Sequence, residues 1–194
     1  MGKNLKKILI VVMALFSLNC YGKELSYINK SGTPDEIREQ MMVLEVEYYD
    51  YNGEISTGKL VINKKLKDEV IAIFKELVAI KFPIEKIVPV SEYGWDDEKS
   101  MEDNNSSSFN YRVVMGSSKL SDHSYGTAID INPRYNPMIK NGKIYPVNGI
   151  YDAKLKGSIT ADSQVVKIFK KYGWKWGGDY KSLKDYQHFY KSLN

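Results

Sequence analysis

The first half of the chain changes from strand-like to helix-like spacing of its apolar residues. From residue 42 to residue 48, apolar positions alternate with more polar ones, which predicts a β-strand with one buried face. Asn52-Gly53 follows, and because both residues tolerate positive φ angles, we expect a hairpin turn and a return strand over residues 56–63. Residues 65–80 then predict an amphipathic helix. Its apolar residues, at helical spacing, are Leu66, Val70, Ile73, Phe74 and Leu77.

Two further helices are predicted near the ends of the chain. Residues 33–36 place a threonine, a proline and a glutamate as at a helix start, with Thr33 as the cap. Near the other end, Asp162 is placed to cap a helix that Gly173 closes. The apolar residues of this helix are Val165, Ile168, Phe169 and Tyr172.

Short strands between long loops complete the pattern. Residues 91–110 predict a loop whose Asn/Ser run at 104–108 is solvated, and residues 133–160 predict a second long connection. Short strands are predicted near residues 87–90, 111–115, 127–131, 174–176 and 187–190. Together these elements predict an α+β fold, with a small antiparallel sheet and helices packed on one side.

The first 22 residues have the pattern of an export signal. Three lysines and no acid precede Ile8–Leu18, an apolar run of 11 residues that is too short to span a bilayer as a helix. Cleavage after Gly22 and lipid attachment at Cys20 are both open, as is an uncleaved anchor. Each alternative places the working domain outside the cytoplasm, in the periplasm or cell envelope, with a membrane contact only through the anchor.

Length and composition predict one domain after this segment. The chain has 194 residues, 43% of them hydrophobic, which suffices for one compact core. We expect residues 1–22 to be a signal peptide, residues 23–33 a polar linker and residues 34–194 a single domain. The chain has one cysteine, so no intramolecular disulfide can form, and packing and metal must stabilise the domain.

The charge balance argues against a nucleic-acid partner. The formal net charge is +4, but the first 22 residues hold three of the 28 basic residues and no acid, so 25 basic and 24 acidic residues remain. Nucleic-acid binding needs a clustered basic face, which this balance does not indicate. We expect a monomer without nucleic acid.

The chemistry of the chain is predicted from its two histidines. His123 precedes Asp130 by seven residues, and Gly126 between them allows the chain to turn so that both side chains face one point. His188 is expected to join them from a distant strand. Two imidazoles and one carboxylate leave a fourth position for water, which is the ligand count of a catalytic zinc site. Copper or iron could use similar ligands.

Two further residues are candidates for catalysis. Asp185 precedes His188 by three residues, so its carboxylate could reach a zinc-bound water as general base and acid, or it could pair with Lys184 or Lys181 instead. Arg112 is a candidate for stabilising the oxyanion or for clamping a substrate carboxylate. The alternative for Arg112 is an ordinary surface ion pair.

These motifs resemble those of the M15 family of zinc peptidases, which includes D-alanyl-D-alanine carboxypeptidases and dipeptidases and the L-alanyl-D-glutamate endopeptidases of phage lysins. The family pattern is S-x-H-x(6)-D followed by [ED]-x-x-H. Here it is Ser121-x-His123-x(6)-Asp130 and Asp185-x-x-His188. The resemblance covers roughly residues 85–190, with further similar stretches at 109–112, 128–133 and 176–179.

The resemblance implies a hedgehog/D,D-peptidase-like zinc fold and the same roles for the residues above. It implies that Zn²⁺ is held by His123, Asp130 and His188, and that Asp185 is the general base and acid. It also implies that Arg112 contacts the substrate or transition state. In addition to these roles, the resemblance implies a substrate contact at one more residue, Ser121.

We therefore expect a zinc-dependent metallocarboxypeptidase that removes the terminal D-alanine from peptidoglycan stem peptides. An L-alanyl-D-glutamate endopeptidase of the same fold is the first alternative. The metal chemistry of the two enzymes is identical, and the substrate groove determines which bond is cut. A zinc-containing binding module without turnover is the second alternative, because the hedgehog signalling domain resembles this zinc fold.

Overall fold

Residues 22–193 are described by a computed structural model of the chain, and their helices and strands make an α+β fold. The main helices are α1 (Asp35–Arg38), α2 (Lys67–Ala79), α3 (Asp97–Glu102) and α4 (Gln164–Lys171). The strands are β1 (Met41–Tyr49), β2 (Ile55–Asn63), β3 (Lys86–Ile87), β4 (Asn105–Ser106), β5 (Ala128–Asp130), β6 (Met138–Lys140), β7 (Lys143–Tyr145), β8 (Lys175–Trp176), β9 (Lys184–Asp185) and β10 (His188–Tyr190).

The predicted signal segment lies almost wholly outside the described residues. Residues 1–21, which include Cys20, precede the described range. Cleavage after Gly22 and lipidation at Cys20 therefore stay predictions. Within residues 22–193, no helix combines the length and the apolar character that a membrane span requires.

The long hairpin and the helix after it follow the predicted apolar pattern. Strands β1 and β2 pair antiparallel from Met41 opposite Asn63 to Tyr49 opposite Ile55. Helix α2 packs against β1 through its predicted apolar face, while Leu66 lies in the 3₁₀ turn just before the helix. The predicted hairpin and amphipathic helix are confirmed.

The main core joins this hairpin and α2 to α4 and the central strands. The ring of Phe169 on α4 stacks on Phe189 of β10, with ring centroids 3.9 Å apart. Trp174 meets the same Phe169 ring edge-on at 5.6 Å. These aromatic side chains are almost fully buried, so they fix β10 against α4.

The central sheet has the order β5-β10-β8 and positions the candidate site. Strand β10 pairs antiparallel with β5 on one side and with β8 on the other. In this register His188 lies directly opposite Asp130, although 58 residues separate them along the chain. Side chains directly opposite each other on one face of a sheet are close neighbours.

Two strands of a second three-stranded sheet lie within residues 133–160, which the sequence predicted as a long connection. Strands β6 and β7 form a hairpin inside residues 133–160, and β6 also pairs with β9. Met138 of β6 thereby lies opposite Asp185 of β9. The prediction of a long irregular connection was therefore wrong for these residues.

The Asn/Ser run at 104–108 is buried except for Ser107, which is half-buried, so the run is not a solvated loop. Asn105 is fully buried, and its side-chain amide exchanges two hydrogen bonds of 2.9 Å with the backbone of Val88. The hydroxyl of Ser108 donates to the carbonyl of Ala128 at 2.6 Å. The prediction was wrong because these polar side chains satisfy backbone groups that lack ladder partners. The surrounding predicted loop also contains α3 and β4.

Three local predictions differ from the structure in detail. Residues 111–115 form no strand, although their backbone pairs with residues 119–121 around an isolated bridge between Val113 and Leu120. Pro34 rather than Thr33 occupies the cap of α1. Ser163 rather than Asp162 caps α4, because Asp162 instead accepts a hydrogen bond from Thr160.

The strands form four small sheets within residues 22–193 rather than one. Three of these sheets are antiparallel, and β3 pairs with β4 in parallel. The α+β class is confirmed at this level.

Candidate active site

His123 is presented by a short 3₁₀ helix, Asp122–Tyr125. The hydroxyl of Ser121 caps this helix by accepting from the backbone amide of His123 at 3.3 Å. Gly126 ends it with a φ of 62°, and a Cβ there would lie 2.6 Å from the backbone nitrogen of Asn63. Because only glycine fits this turn without strain, Gly126 brings the chain from His123 into β5 as predicted.

The ring of His123 is held in one orientation by a backbone carbonyl. Its Nδ1 makes a short hydrogen bond with the carbonyl of Ser108. Nδ1 is the donor in this pair, so the neutral ring keeps a lone pair on Nε2. Such a contact is the usual way in which proteins orient a metal-binding imidazole.

The side chains of His123, Asp130 and His188 converge on one point. Nε2 of His123 lies 3.2 Å from Oδ2 of Asp130 and 3.2 Å from Nδ1 of His188. The same Nδ1 lies 3.0 Å from Oδ1 of Asp130. All three residues are buried, and a donor atom from each lies within 4.8 Å of the others.

The carboxylate of Asp130 and the two imidazoles shift one another's pKa in the metal-free cluster. Burial raises the pKa of Asp130, but the imidazoles of His123 and His188 outweigh burial and hold that pKa well below its usual range. Burial lowers the pKa of His188, and the hydrogen bond to Asp130 outweighs it, so the net shift is upward. A carboxylate between two imidazoles fits Zn²⁺ by donor chemistry and by ligand count.

Asp185 lies beside the cluster on β9. Its Oδ1 is buried and has no hydrogen-bond partner among residues 22–193. Burial raises the pKa of this carboxyl to about 6, with His188 acting in the opposite direction. Lys184 is not its partner, because the Lys184 ammonium donates to the carbonyls of Gly178 and Tyr180.

Gly177 is a residue of the site that the sequence analysis did not single out. A Cβ at this position would lie 2.5 Å from the carbonyl oxygen of Asp185 and 3.2 Å from Cβ of His188. Only glycine therefore lets the turn after β8 approach these two residues. The Trp-Gly-Gly run was the available signal.

Arg112 lies at the edge of the same cleft and forms an ion pair. Its Nε contacts Oδ2 of Asp97, and about a third of the Arg112 side chain is exposed. The backbone amide of Arg112 donates to Ser124 at 2.9 Å. The ion pair that the sequence left open is thus present, and its partner Asp97 was missed.

The cluster lies in a cleft of about 540 Å³. Ser121, Arg112 and Asp185 line this cleft together with the three clustered residues. Tyr180 and Lys140 form part of its wall. The structure therefore brings together every site residue that the sequence predicted, while the roles of these residues stay predictions.

Comparisons with known proteins point to one peptidase family. Residues 115–191 match a family model described as D-alanyl-D-alanine carboxypeptidase. The chain is also similar to the peptidoglycan L-alanyl-D-glutamate endopeptidase CwlK of Bacillus subtilis (strain 168), with 39% identity over 69 residues. That similarity spans 34% of this chain and 36% of the endopeptidase.

No solved structure matches the chain, so the predicted likeness to the hedgehog/D,D-peptidase zinc fold stays a prediction. The matched residues 115–191 contain the three clustered residues and Asp185 but not Arg112. Residues 115–191 are thus similar to D-alanyl-D-alanine carboxypeptidases, and the chain is similar to an L-alanyl-D-glutamate endopeptidase, as the resemblance to the M15 family predicted.

Proposed function

We propose that this chain is a zinc-dependent hydrolase that cuts a peptide bond in peptidoglycan stem peptides. The observation that carries the proposal is the buried cluster of His123, Asp130 and His188 in a cleft that Asp185 also lines, with a buried carboxylate oxygen, Oδ1, that has no hydrogen-bond partner among residues 22–193. The family match supports the same reaction class.

The three clustered residues would hold the zinc ion. Zinc in such a site lowers the pKa of a water molecule to about 7 and polarises a carbonyl group. Asp185 is placed to accept the proton of the attacking water and to return it to the leaving amine.

Arg112 and Ser121 supply the contacts to the substrate. The guanidinium of Arg112 lies at the edge of the cleft and can donate hydrogen bonds to an oxyanion or to a substrate carboxylate. The hydroxyl of Ser121 already caps the His123 turn, so its contact to substrate would use its remaining hydrogen-bonding capacity.

We favour a D-alanyl-D-alanine carboxypeptidase, because the matching family model has that description and an Arg can clamp a terminal carboxylate. The similarity to the CwlK endopeptidase supports a second candidate, cleavage between L-Ala and D-Glu. The two differ in whether the substrate needs a free C-terminus.

The decisive assay is release of D-alanine from a pentapeptide that ends in D-Ala-D-Ala, with and without a chelator followed by zinc. Release that stops with chelator and returns with zinc supports the carboxypeptidase. Continued cleavage of an amidated pentapeptide, or products cut after L-Ala, would instead identify the endopeptidase. Stoichiometric zinc without any cleavage would leave a binding module and refute the enzymatic proposal.

We also propose that the protein is exported and acts in the periplasm or cell envelope. The support is the sequence pattern of residues 1–22 and the location of the proposed substrate. Mass spectrometry of the mature protein distinguishes the alternatives: a chain that begins at Lys23 indicates cleavage after Gly22, and a lipid mass on Cys20 indicates an anchor. An unprocessed cytoplasmic chain would refute export.

A further inference from the structure

The guanidinium of Arg112 is held on one side only. Asp97 contacts its Nε through Oδ2, while Nη1 lies 3.5 Å from the carbonyl of Val113, at the outer limit of a hydrogen bond. An arginine has five N–H groups in a fixed planar fork. A carboxylate on the Nε side therefore orients this fork and leaves the N–H groups at its far end for a ligand in the cleft.

Asp97 is itself fixed through its second oxygen. The amide of Asn110 donates to Oδ1 of Asp97 at 2.5 Å, and Lys30 donates to the Asn110 side chain at 2.6 Å. Each carboxylate oxygen thus has its own partner. The carboxylate cannot rotate without losing either Arg112 or Asn110.

The helix that carries Asp97 is anchored at both ends. Glu98 accepts a hydrogen bond from the backbone amide of Val147 at 2.9 Å, and Asn148 donates to the carbonyl of Glu102 at 3.1 Å. Val147 and Asn148 follow β7, whose partner β6 pairs with the strand of Asp185. Helix α3 therefore connects the Arg112 side of the cleft with the Asp185 side.

We propose that Asp97 is a positioning residue, which holds Arg112 at the edge of the cleft in the orientation that receives substrate. The inference rests on the proposed function, in which Arg112 contacts substrate. An ion pair of this exposure adds little to stability, so its main effect should appear in catalysis. Asp97 acts only through Arg112 and needs no contact with the substrate.

The test compares Asp97→Asn with wild type in the zinc-loaded protein. In this variant the new side chain has one oxygen and one amide nitrogen, so one of the two contacts, to Arg112 or to Asn110, is lost. We expect kcat/KM to fall on the order of 10- to 100-fold, since a misplacement of about 1 Å is enough for such a loss. Zinc content and Tm should stay near wild type. Asp96→Asn is the matched control, because it changes the neighbouring acid and keeps a capping side chain.

A second comparison separates positioning from a structural role. Asp97→Asn should alter the same kinetic constant as Arg112→Ala, and it should cause no further loss in the Arg112→Ala background. An equal loss in both backgrounds would overturn the proposal, as would wild-type kinetics of Asp97→Asn. If Asp97→Asn fails to fold, Asp97→Glu replaces it. Glutamate keeps the charge but displaces the guanidinium, so an intermediate loss is expected.

Binding provides a readout that is independent of turnover. Affinity for a stem pentapeptide can be measured by calorimetry in the Asp185→Asn variant, which prevents cleavage. If Arg112 clamps the substrate, adding Asp97→Asn to this variant should weaken the affinity. If Arg112 serves only the transition state, affinity should stay and kcat should fall instead. Wild-type protein that neither cleaves nor binds these peptides would overturn both proposals. If the wild-type protein is active and Asp97→Asn changes neither its kinetics nor its affinity, only the positioning role of Asp97 is overturned.

Discussion

Replacing Asp185 with asparagine should abolish catalysis while stabilising the metal-free protein. Asparagine has nearly the same shape, so packing around β9 should persist. A general base contributes roughly 10²- to 10⁴-fold to rate, so kcat should fall by that factor. Zinc content should not change, because Asp185 is not among the clustered residues.

The stability effect follows from the raised pKa of Asp185. Burial raises this pKa to about 6 from its ordinary value of 3.8, so the folded state binds a proton more tightly than the unfolded state. The Asp185 carboxyl therefore makes its full contribution to the free energy of unfolding below about pH 4, and this contribution is lost as pH rises through about 6. A difference of two pKa units corresponds to roughly 3 kcal/mol in the free energy of unfolding. The wild-type protein loses this stability at high pH, and the Asp185→Asn variant keeps it.

Urea unfolding of both proteins in a chelator, at pH values from 4 to 8, would test this reasoning. The free energy of unfolding of Asp185→Asn should exceed that of wild type above pH 6, and the difference should vanish near pH 4. A variant that is less stable than wild type at pH 7 would contradict the burial argument. Near-normal turnover would contradict the assigned role.

Three other substitutions test the site and the fold that supports it. His123→Ala should lose both zinc and activity, because it removes a proposed ligand. Metal analysis by mass spectrometry and the D-alanine assay would measure the two losses, and retained stoichiometric zinc would refute the ligand assignment. Gly126→Ala should lower the Tm strongly, because its Cβ would clash with the backbone of Asn63 at a positive φ; an unchanged Tm would refute the required turn. Asn105→Ala should destabilise by about 2–4 kcal/mol in urea, since it leaves buried backbone groups of Val88 unpaired, whereas a change below about 0.5 kcal/mol would show that water replaces them.

Elements with strong periodicity were predictable from the sequence. The hairpin β1–β2 and helix α2 follow directly from the apolar spacing, because their inner faces are buried continuously. The site was predictable for a different reason. The chain has only two histidines, and each lies near an aspartate, so few combinations of ligands exist.

The missed hairpin had a readable signal. Its turn is Asn141-Gly142, with φ angles of 52° and 75°, and it joins Lys140 opposite Lys143. Asn-Gly between short strands is a strong hairpin signal, but β6 and β7 have no fully buried face, so alternation did not mark them. The surrounding prolines and glycines favoured an irregular connection instead.

The buried Asn/Ser run and the Asp97 contact were not predictable from local patterns. Asn105 is buried because it completes the backbone of Val88, 17 residues earlier. Arg112 finds Asp97 only because α3 folds back beside the cleft. Both depend on tertiary placement, which composition and periodicity do not contain.

The pairing of β5 with β10 also bears on when the protein could acquire the proposed zinc ion. His123 and His188 are 65 residues apart in the chain, and only the closed sheet brings them within 3.2 Å. Closing a loop of that length in an unfolded chain costs about 4 kcal/mol of entropy. In the proposed function, the unfolded polypeptide would therefore hold zinc weakly, and zinc would bind only after folding. If the chain is exported unfolded, as proposed, zinc would have to be present where the chain folds, and the ion available there would determine which metal the proposed site takes up.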